Sequence, residues 1–220
     1  MRFTKMQAAG NDYVYMDTLK APISSPEALA RRISDRHFGV GSDGLILICP
    51  PSDPGEADFR MRMFNADGSE AEMCGNGIRC VGKYLYDNGM VGGRTTITID
   101  TLSGVKTLEL NVRDGKMQTA RVDMGAAILE PAKIPVNMAG SSVIDAPLVV
   151  DEKVYHVTCV SMGNPHCVIF FNEDDVDDLD LSRLGPKFEH HPLFPERINT
   201  EFVNVLPDGS LKMRVWERGS

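Results

Sequence analysis

Short apolar segments separated by Gly, Asn and Asp turns predict a chain built mainly from β-strands. The segment 58–64 shows this most clearly, because charged and apolar side chains alternate along it as they do in a half-buried strand. Similar segments predict further strands throughout the chain, at 3–6, 13–17, 45–48, 95–102, 105–112, 117–124, 148–150, 154–160 and 166–171.

A first helix is predicted to begin at Ser25-Pro26-Glu27, which supplies a cap residue, a proline in the first turn and an acidic side chain. We expect it to stop at Gly39. The following segment, 39–44, matches the dinucleotide-binding pattern G-x-G-x-x-G. That pattern requires a strand before it and a helix after it, whereas here a helix precedes and a strand follows. A tight helix-to-strand loop is the better interpretation.

A second helix is predicted to open at Cys74 and to end at Asn88-Gly89. Its side chains are mostly apolar, and Arg79 and Lys83 form its one charged stripe. Because so little of its surface is polar, we expect other elements to wrap around it. Cys80 is expected to face a different side of the helix from Cys74 and to lie in the core.

Two short patterns recur at nearly the same distance along the chain. The segment 61–65 resembles 213–217, 152 positions later, and Gly10-Asn11 recurs as Gly163-Asn164, 153 positions later. The agreement of the two offsets predicts an internal duplication. With an offset of 151 it also aligns Gly219-Ser220 with Gly68-Ser69, so the position that would match Cys74 is expected beyond the printed sequence.

Composition and charge restrict the function. The 220 residues are 42% hydrophobic, enough for one large domain or two small ones. The net charge is −8 and no basic cluster stands out, which argues against a nucleic-acid or anionic-membrane partner. The chain lacks an apolar run near the ~20 residues of a membrane span and has no signal-peptide pattern at its start. The five cysteines lack the spacing of a zinc site, so we expect free thiols and a cytoplasmic location.

Cys74 is the candidate reactive residue. At the first turn of a helix, unpaired backbone N–H groups and the helix dipole favour a thiolate over a thiol. The neighbouring Gly75 and Gly77 would let a ligand carboxylate approach the same N–H groups. The simpler alternative is a buried helix-start cysteine beside two turn glycines.

The predicted duplication suggests a chemistry for this thiol. Two similar groups facing a carbon centre from opposite sides could invert it, one removing a proton and the other returning one. Amide side chains near turns and strand ends could hydrogen-bond the ammonium and carboxylate groups of an amino acid. These side chains are Asn11, Asn65, Asn76, Asn164 and Asn199.

Six segments together resemble the diaminopimelate epimerase family, and they extend over the whole chain. They are A-A-G-N-D at 8–12, H-F-G-V-G-S-D-G at 37–44, F-N-A-D-G-S-E-A-E-M-C-G-N-G-I-R-C at 64–80, G-N-P-H at 163–166, R-I-N-T-E-F-V at 197–203 and W-E-R-G at 216–219. The resemblance implies an α+β fold of two pseudo-symmetric halves, each a barrel-like sheet wrapped around a central helix. The halves would be 1–118, with its central helix after Cys74, and 119–220, an incomplete half that lacks its central helix and closing strands.

The resemblance also implies a function. The protein would be an isomerase without cofactors, independent of pyridoxal phosphate, that interconverts LL- and meso-diaminopimelate in lysine and peptidoglycan precursor biosynthesis. Its partner would be this small-molecule substrate, with no metal, and a homodimer is left open. Cys74 would be one of two catalytic cysteines, and His166 and Glu217 would tune the acidity of the thiols. The positions implied to contact the substrate are Asn11, Asn65, Gly75, Asn76, Asn164, Asn199, Glu217 and Arg218.

Two departures from the family pattern carry expectations. Some members have glutamine at the position of Gly44, so a side-chain contact to substrate would be absent here or replaced by backbone. The family pattern also continues past W-E-R-G-S to the second catalytic cysteine. The 220-residue chain is therefore expected to be inactive in racemisation and to leave apolar barrel surface uncovered, whereas the intact gene product is expected to be active.

Three alternatives remain open. One is a relative of proline racemase, whose pocket would hold a ring rather than a long polar chain. The second is a thiol hydrolase with Cys74 as nucleophile and His166 as base. The third is a ligand-binding module without turnover. The pair His190-His191 is interpreted as a loop before Pro192 rather than a metal site.

Overall fold

The computed structural model describes residues 2–171 and 174–218. The chain divides into two compact units, Met1–Gly125 and Ala126–Ser220. The expected boundary at 118 falls inside a strand, Lys116–Val122, which pairs with the preceding strand and so stays in the first unit. The aligned residues Gly219-Ser220 lie outside the described residues.

The described part of the first unit contains one curled sheet and two helices. Strands β1–β8 are Thr4–Ala8, Asn11–Asp17, Gly44–Cys49, Phe59–Asn65, Glu70–Ala71, Thr96–Asp100, Lys106–Arg113 and Lys116–Val122. Helices α1 and α2 are Pro26–Ser34 and Gly75–Asp87. The sheet order is β1-β2-β3-β4-β6-β7-β8, and β5 pairs with β4.

Helix α2 is wrapped by this sheet, as its apolar surface predicts. Ile78, Val81 and Leu85 are fully buried. The helix contacts β1 and β2 at one end of the sheet and β7 and β8 at the other, which requires the sheet to curl around it. Helix α1 covers the opposite face, where Ala30 packs with Leu45 and Phe64. The first unit is therefore a barrel-like sheet around a central helix.

The described part of the second unit contains a five-stranded sheet and one α-helix. Strands β9–β13 are Val143–Val150, Lys153–Ser161, Pro165–Phe170, Asn199–Val205 and Leu211–Trp216, and helix α3 is Leu181–Glu189. The sheet order is β13-β12-β11-β10-β9. Helix α3 packs Leu184 and Phe188 against one face of this sheet, together with Ile169 and Phe202.

The other face of the second sheet carries exposed apolar side chains. Alternation along each strand and the strand register place them on one face. They include Val149, Val154, Phe170, Val205, Leu211 and Met213. The expectation of uncovered apolar sheet surface is therefore confirmed for this face.

Strand pairing supports the internal duplication. In the first unit β2 pairs parallel with β3, which pairs antiparallel with β4. In the second unit β11, β12 and β13 repeat this arrangement. The register is also equivalent, because Tyr13 lies opposite Gly44 as His166 lies opposite Asn199. The two units thus repeat one topology, in which His166 takes the place of Tyr13.

Several details differ from the expectations: β9 begins at Val143 rather than at 148, and β12 and β13 were not among the predicted strands. Helix α1 ends at Ser34 rather than near Gly39, because the Asp35 carboxylate accepts hydrogen bonds from the next turn's backbone N–H groups. Asn11 opens β2 instead of lying in the preceding turn, which Ala9 and Gly10 form with φ of 51° and 95°. Helix α3 was not predicted, since Gly185-Pro186 interrupts its helical pattern.

The other local predictions are confirmed. Segment 39–43 is a loop between α1 and β3, with Gly44 as the first residue of the strand, and His190 lies just after α3, before Pro192. Cys80 is buried in the core. Within the described residues, no helix is both long and apolar enough to cross a membrane.

Candidate active site

Cys74 caps the amino end of helix α2. Its backbone is extended, with φ of −130°, and its Sγ accepts a hydrogen bond from the N–H of Gly77 at 3.3 Å. The side chain is half-buried, whereas Cys80, Cys159 and Cys167 are buried. A sulfur in this position faces the positive end of the helix dipole, where negative charge is stabilised.

Tyr15 holds the first turn of α2 against the sheet. Its buried hydroxyl donates to the carbonyl oxygen of Gly77 at 3.3 Å. Burial raises the pKa of Tyr15 far above its ordinary value, and the nearby thiols of Cys80 and Cys74 add to this rise. The phenol therefore stays protonated and remains a donor, fixing the helix start on β2.

Two of the predicted substrate residues are in direct contact. The Asn76 amide nitrogen, in the first turn of α2, donates to the Asn11 amide oxygen at 2.6 Å. The Asn76 amide oxygen in turn accepts a hydrogen bond from the Arg79 guanidinium. Asn11, Asn76 and Arg79 therefore form a chain of polar side chains beside the N-terminus of α2, where Gly75 is the first residue of the helix.

Asn65 and Gly44 lie opposite each other on β4 and β3. The Asn65 side chain donates to the Ser69 hydroxyl at 3.0 Å and closes the turn after β4. A Cβ at Gly44 would overlap the carbonyl oxygen of Phe64. The backbones of β3 and β4 are therefore too close at Gly44 to leave room for a side chain.

In the second unit, His166 has an oxygen atom within hydrogen-bond distance of each ring nitrogen. Its Nδ1 lies 2.6 Å from Oε1 of Glu201, and its Nε2 lies 2.9 Å from Oδ1 of Asn164. Glu201 is buried, and its second oxygen has no hydrogen-bond partner among the described residues. A carboxylate can only accept, so the Nδ1 position carries a proton.

The remaining predicted residues cluster at the ends of β12 and β13. Asn199, beside His166 in the sheet, donates to the Pro165 carbonyl at 2.8 Å and accepts from the Arg218 backbone N–H at 2.9 Å. The Arg218 guanidinium donates to the Glu196 carbonyl at 3.3 Å. Glu217 is exposed. The Asn199 amide therefore ties strand ends together within the second unit.

Sequence reasoning missed three contributors to these sites. Tyr15 and Arg79 were interpreted as ordinary strand and helix residues and Glu201 was given no role of its own, yet each contacts a predicted site residue or its helix turn. A signal was available for Arg79, which lies three residues after Asn76 on the same helix face. Glu201 lies in the mostly buried strand β12, where a carboxylate needs a hydrogen-bond partner.

Comparison with known sequences identifies relatives. The sequence model of the family described as "Diaminopimelate epimerase" matches residues 3–130 and 158–220. A diaminopimelate epimerase of Acetivibrio thermocellus is 55% identical over 220 residues, which is all of this chain and 76% of that protein. One from Desulfovibrio desulfuricans is 55% identical, with all of this chain and 77% of that protein covered. One from Methanococcus maripaludis is 51% identical, again covering all of this chain and 77% of that protein.

Comparison with solved structures supports the fold. A probable proline racemase from Agrobacterium radiobacter, with bound carbonate, matches with a TM-score of 0.70 at 14% identity, covering 97% of this chain and 69% of that one. A hydroxyproline epimerase from Agrobacterium vitis, with bound trans-4-hydroxy-L-proline, gives 0.66 at 15% identity and the same coverage. At such low identity these matches concern the fold alone.

Proposed function

The chain belongs to the diaminopimelate epimerase family, and from this membership we propose that the protein interconverts LL- and meso-diaminopimelate. The reaction inverts one Cα by proton transfer between two thiol groups, without pyridoxal phosphate. It serves lysine biosynthesis and the supply of peptidoglycan precursors. The five free cysteines agree with a reducing cytoplasm, where a catalytic thiol stays available.

The observation that carries the proposal is the position of the Cys74 sulfur at the N-terminus of α2. As a thiolate, Sγ takes the proton from Cα, and the electron pair of the broken C–H bond is delocalised into the adjacent carboxylate. Backbone N–H groups in the first turn of the helix stabilise the charge that develops on that carboxylate. A second thiol on the opposite face then delivers a proton to Cα.

Cys74 is the thiol that we assign among the five in this sequence. Cys80, Cys159 and Cys167 are buried, and Cys49 shares a hydrogen bond with the Thr18 hydroxyl in the first sheet. A hydrogen bond with Cys159, together with burial, raises the pKa of the Cys167 thiol well above its ordinary value, which makes it a poor base at neutral pH.

The remaining polar residues bind the substrate in this proposal. Asn11, Asn65, Asn76, Asn164, Asn199, Glu217 and Arg218 present donors and acceptors for the ammonium and carboxylate groups. Gly75 leaves the first backbone N–H groups of α2 accessible. His166 and Glu217 tune the two thiols, and the carboxylate of Glu201 orients the His166 ring.

The test is a proton-exchange assay on the gene product in deuterated water. With LL-diaminopimelate as substrate, we expect deuterium at Cα and growth of the meso isomer, both followed by NMR. Replacing Cys74 by Ala or Ser should lower the rate at least ~100-fold, the usual lower contribution of an acid–base group. Cys49→Ser, which alters the other half-exposed thiol, serves as the matched control and should keep the rate.

Two outcomes would contradict the proposal. One is stereoinversion at full rate after Cys74→Ser. The other is racemisation of proline or 4-hydroxyproline in place of diaminopimelate, which would favour the ring-binding alternative.

A further inference from the structure

The two cations of helix α2 have different surroundings. Lys83 donates to the Met117 carbonyl at 2.6 Å and pairs with Asp87 at 2.9 Å, so it ties the helix to β8. In the described part of the chain, Arg79 has neither a backbone carbonyl nor a carboxylate as a partner. Its guanidinium donates to the amide oxygen of Asn76, and among the described residues no carboxylate forms an ion pair with it.

The Arg79 side chain is half-buried, and its Nε is fully buried without a hydrogen-bond partner among the described residues. Burying part of a guanidinium away from water without a carboxylate partner costs free energy. Such a cost is tolerated where the charge serves a ligand that brings a negative group. The side chain therefore differs from the solvated arginines of this unit, such as Arg121 on β8, which is largely exposed and faces Glu109.

Arg79 also determines how the neighbouring amides are oriented. A guanidinium has donors and no acceptor, so the atom of Asn76 that faces Arg79 must be the amide oxygen. The Asn76 amide nitrogen then points the other way and donates to Asn11, whose amide oxygen must be the acceptor at 2.6 Å. The chemistry of one residue thus fixes the orientations of two side-chain amides.

We propose that Arg79 is a positioning residue of the substrate site, which sets the amide orientation of Asn76 and, through it, of Asn11. This inference rests on the proposed function, in which Asn11 and Asn76 bind diaminopimelate. In this proposal Arg79 acts on the substrate through the two amides and through its charge. Its positive charge also favours a carboxylate near the N-terminus of α2, so the site selects substrates that are anionic at this end.

The test compares three variants of the gene product: Arg79→Met removes the donor, Arg79→Lys keeps a donor-only cation, and Asn76→Ala removes the first amide. Arg121→Met, which also exchanges an arginine of the first unit, is the matched control. KM and kcat for LL-diaminopimelate are measured, and thermal unfolding is followed to detect any loss of folding. The side-chain amide resonances of Asn76 and Asn11 are followed by NMR.

For Arg79→Met we expect about a tenfold rise in KM with kcat changed less than about threefold, since a charge-assisted hydrogen bond that orders the site is lost. Arg79→Lys should keep KM within about threefold of the value for the unmodified protein. In the Asn76→Ala background, Arg79→Met should add little further, because Arg79 acts through Asn76. The amide resonances of both asparagines should shift in Arg79→Met and not in Arg121→Met.

The inference is overturned if Arg79→Met keeps the KM of the unmodified protein, or if its effect adds in full to that of Asn76→Ala. Should Arg79→Met fail to fold, Arg79→Gln takes its place, because it removes the charge and no longer forces Asn76 to present its amide oxygen: a raised KM with shifted amide resonances of Asn76 and Asn11 supports the positioning role, and an unchanged KM with unshifted resonances overturns it. Absence of diaminopimelate turnover by the unmodified gene product would instead overturn the proposed function.

Discussion

Glu201 and His166 link β12 to β11 through their side chains, with Oε1 of the carboxylate 2.6 Å from Nδ1 of the imidazole. The glutamate side chain is 11% exposed and the histidine side chain 25% exposed. A buried carboxylate needs a proton donor or a cation beside it, and His166 supplies one through Nδ1–H. The pair leaves Nε2 as the ring atom directed towards Asn164.

The pairing predicts that His166 stabilises the fold by partnering the buried Glu201 carboxylate. His166→Ala leaves the Glu201 carboxylate buried without a partner, so we expect unfolding to become easier by about 2 kcal/mol, less than for a fully buried pair because the histidine is partly exposed. The double variant His166→Ala with Glu201→Gln should recover most of this loss. Urea unfolding at neutral pH measures both effects.

His156→Ala is the matched control for this cycle, because His156 is largely exposed and faces the exposed Asp145. It should change the free energy of unfolding by less than about 0.5 kcal/mol. If His166→Ala cost no more than this control, the Glu201 carboxylate would not depend on the imidazole.

Thiol labelling should distinguish Cys74 from the other cysteines. Cys74 and Cys49 are half-exposed, so iodoacetamide should modify these two in the native protein, and Cys80, Cys159 and Cys167 only after unfolding. Diaminopimelate should slow the labelling of Cys74 and leave that of Cys49 unchanged, which makes Cys49 an internal control. Mass spectrometry of tryptic peptides gives both rates. If diaminopimelate protected both thiols equally, it would be stabilising the whole fold and not binding at the N-terminus of α2.

Gly185 allows α3 to pack against β13. A Cβ at this position would overlap the indole ring of Trp216, whose Nε1–H donates to Glu189 at 2.7 Å and so holds the ring in place. Gly185→Ala should therefore destabilise the fold by about 1–3 kcal/mol despite the higher helix propensity of alanine. Trp216 is the sole tryptophan, so its fluorescence reports unfolding and any local displacement.

The control for this substitution is Ser182→Ala, at an exposed position of the same helix. It should be neutral or slightly stabilising. A Gly185→Ala variant as stable as Ser182→Ala, with unchanged fluorescence, would contradict the close packing of α3 on the indole.

Asp12 should contribute to stability in acid. The hydrogen bond from Arg36 lowers the pKa of Asp12 from 3.8 to about 2, with Lys5 adding to the effect and burial opposing it. A folded-state pKa below the unfolded value means that the contribution is complete above about pH 4 and is lost as the pH falls towards about 2. Because the Arg36 side chain is 56% exposed, we expect only about 1 kcal/mol after solvent screening.

Denaturant unfolding between pH 5 and pH 2 tests this expectation. The unmodified protein should lose about 1 kcal/mol more than Asp12→Asn over that range. Asp114→Asn, at a largely exposed carboxylate, should follow the unmodified protein. Parallel curves for Asp12→Asn and the unmodified protein would show that the Arg36 contact is not maintained in solution.

The sequence by itself determined the local features of this protein. Alternating side chains predicted most of the strands, and the apolar surface of the segment after Cys74 predicted a helix wrapped by other elements. The Cys74 cap could be predicted because capping depends on residues within one turn of each other. The repeat offsets near 152 also indicated the shared topology of the two units, since each repeat encodes the same strand order.

Tertiary structure alone decided which side chains meet. Asn11 and Asn76 are 65 positions apart, and His166 and Glu201 are 35 apart, so no local pattern relates them. Their contacts depend on strand register and on how α2 lies within the sheet, which the whole core determines through packing. For the same reason the sequence alone assigned Arg79 only a place on the charged stripe of its helix and assigned Glu201 no role of its own. The fold brings a predicted site residue beside each of them, Asn76 beside Arg79 and His166 beside Glu201.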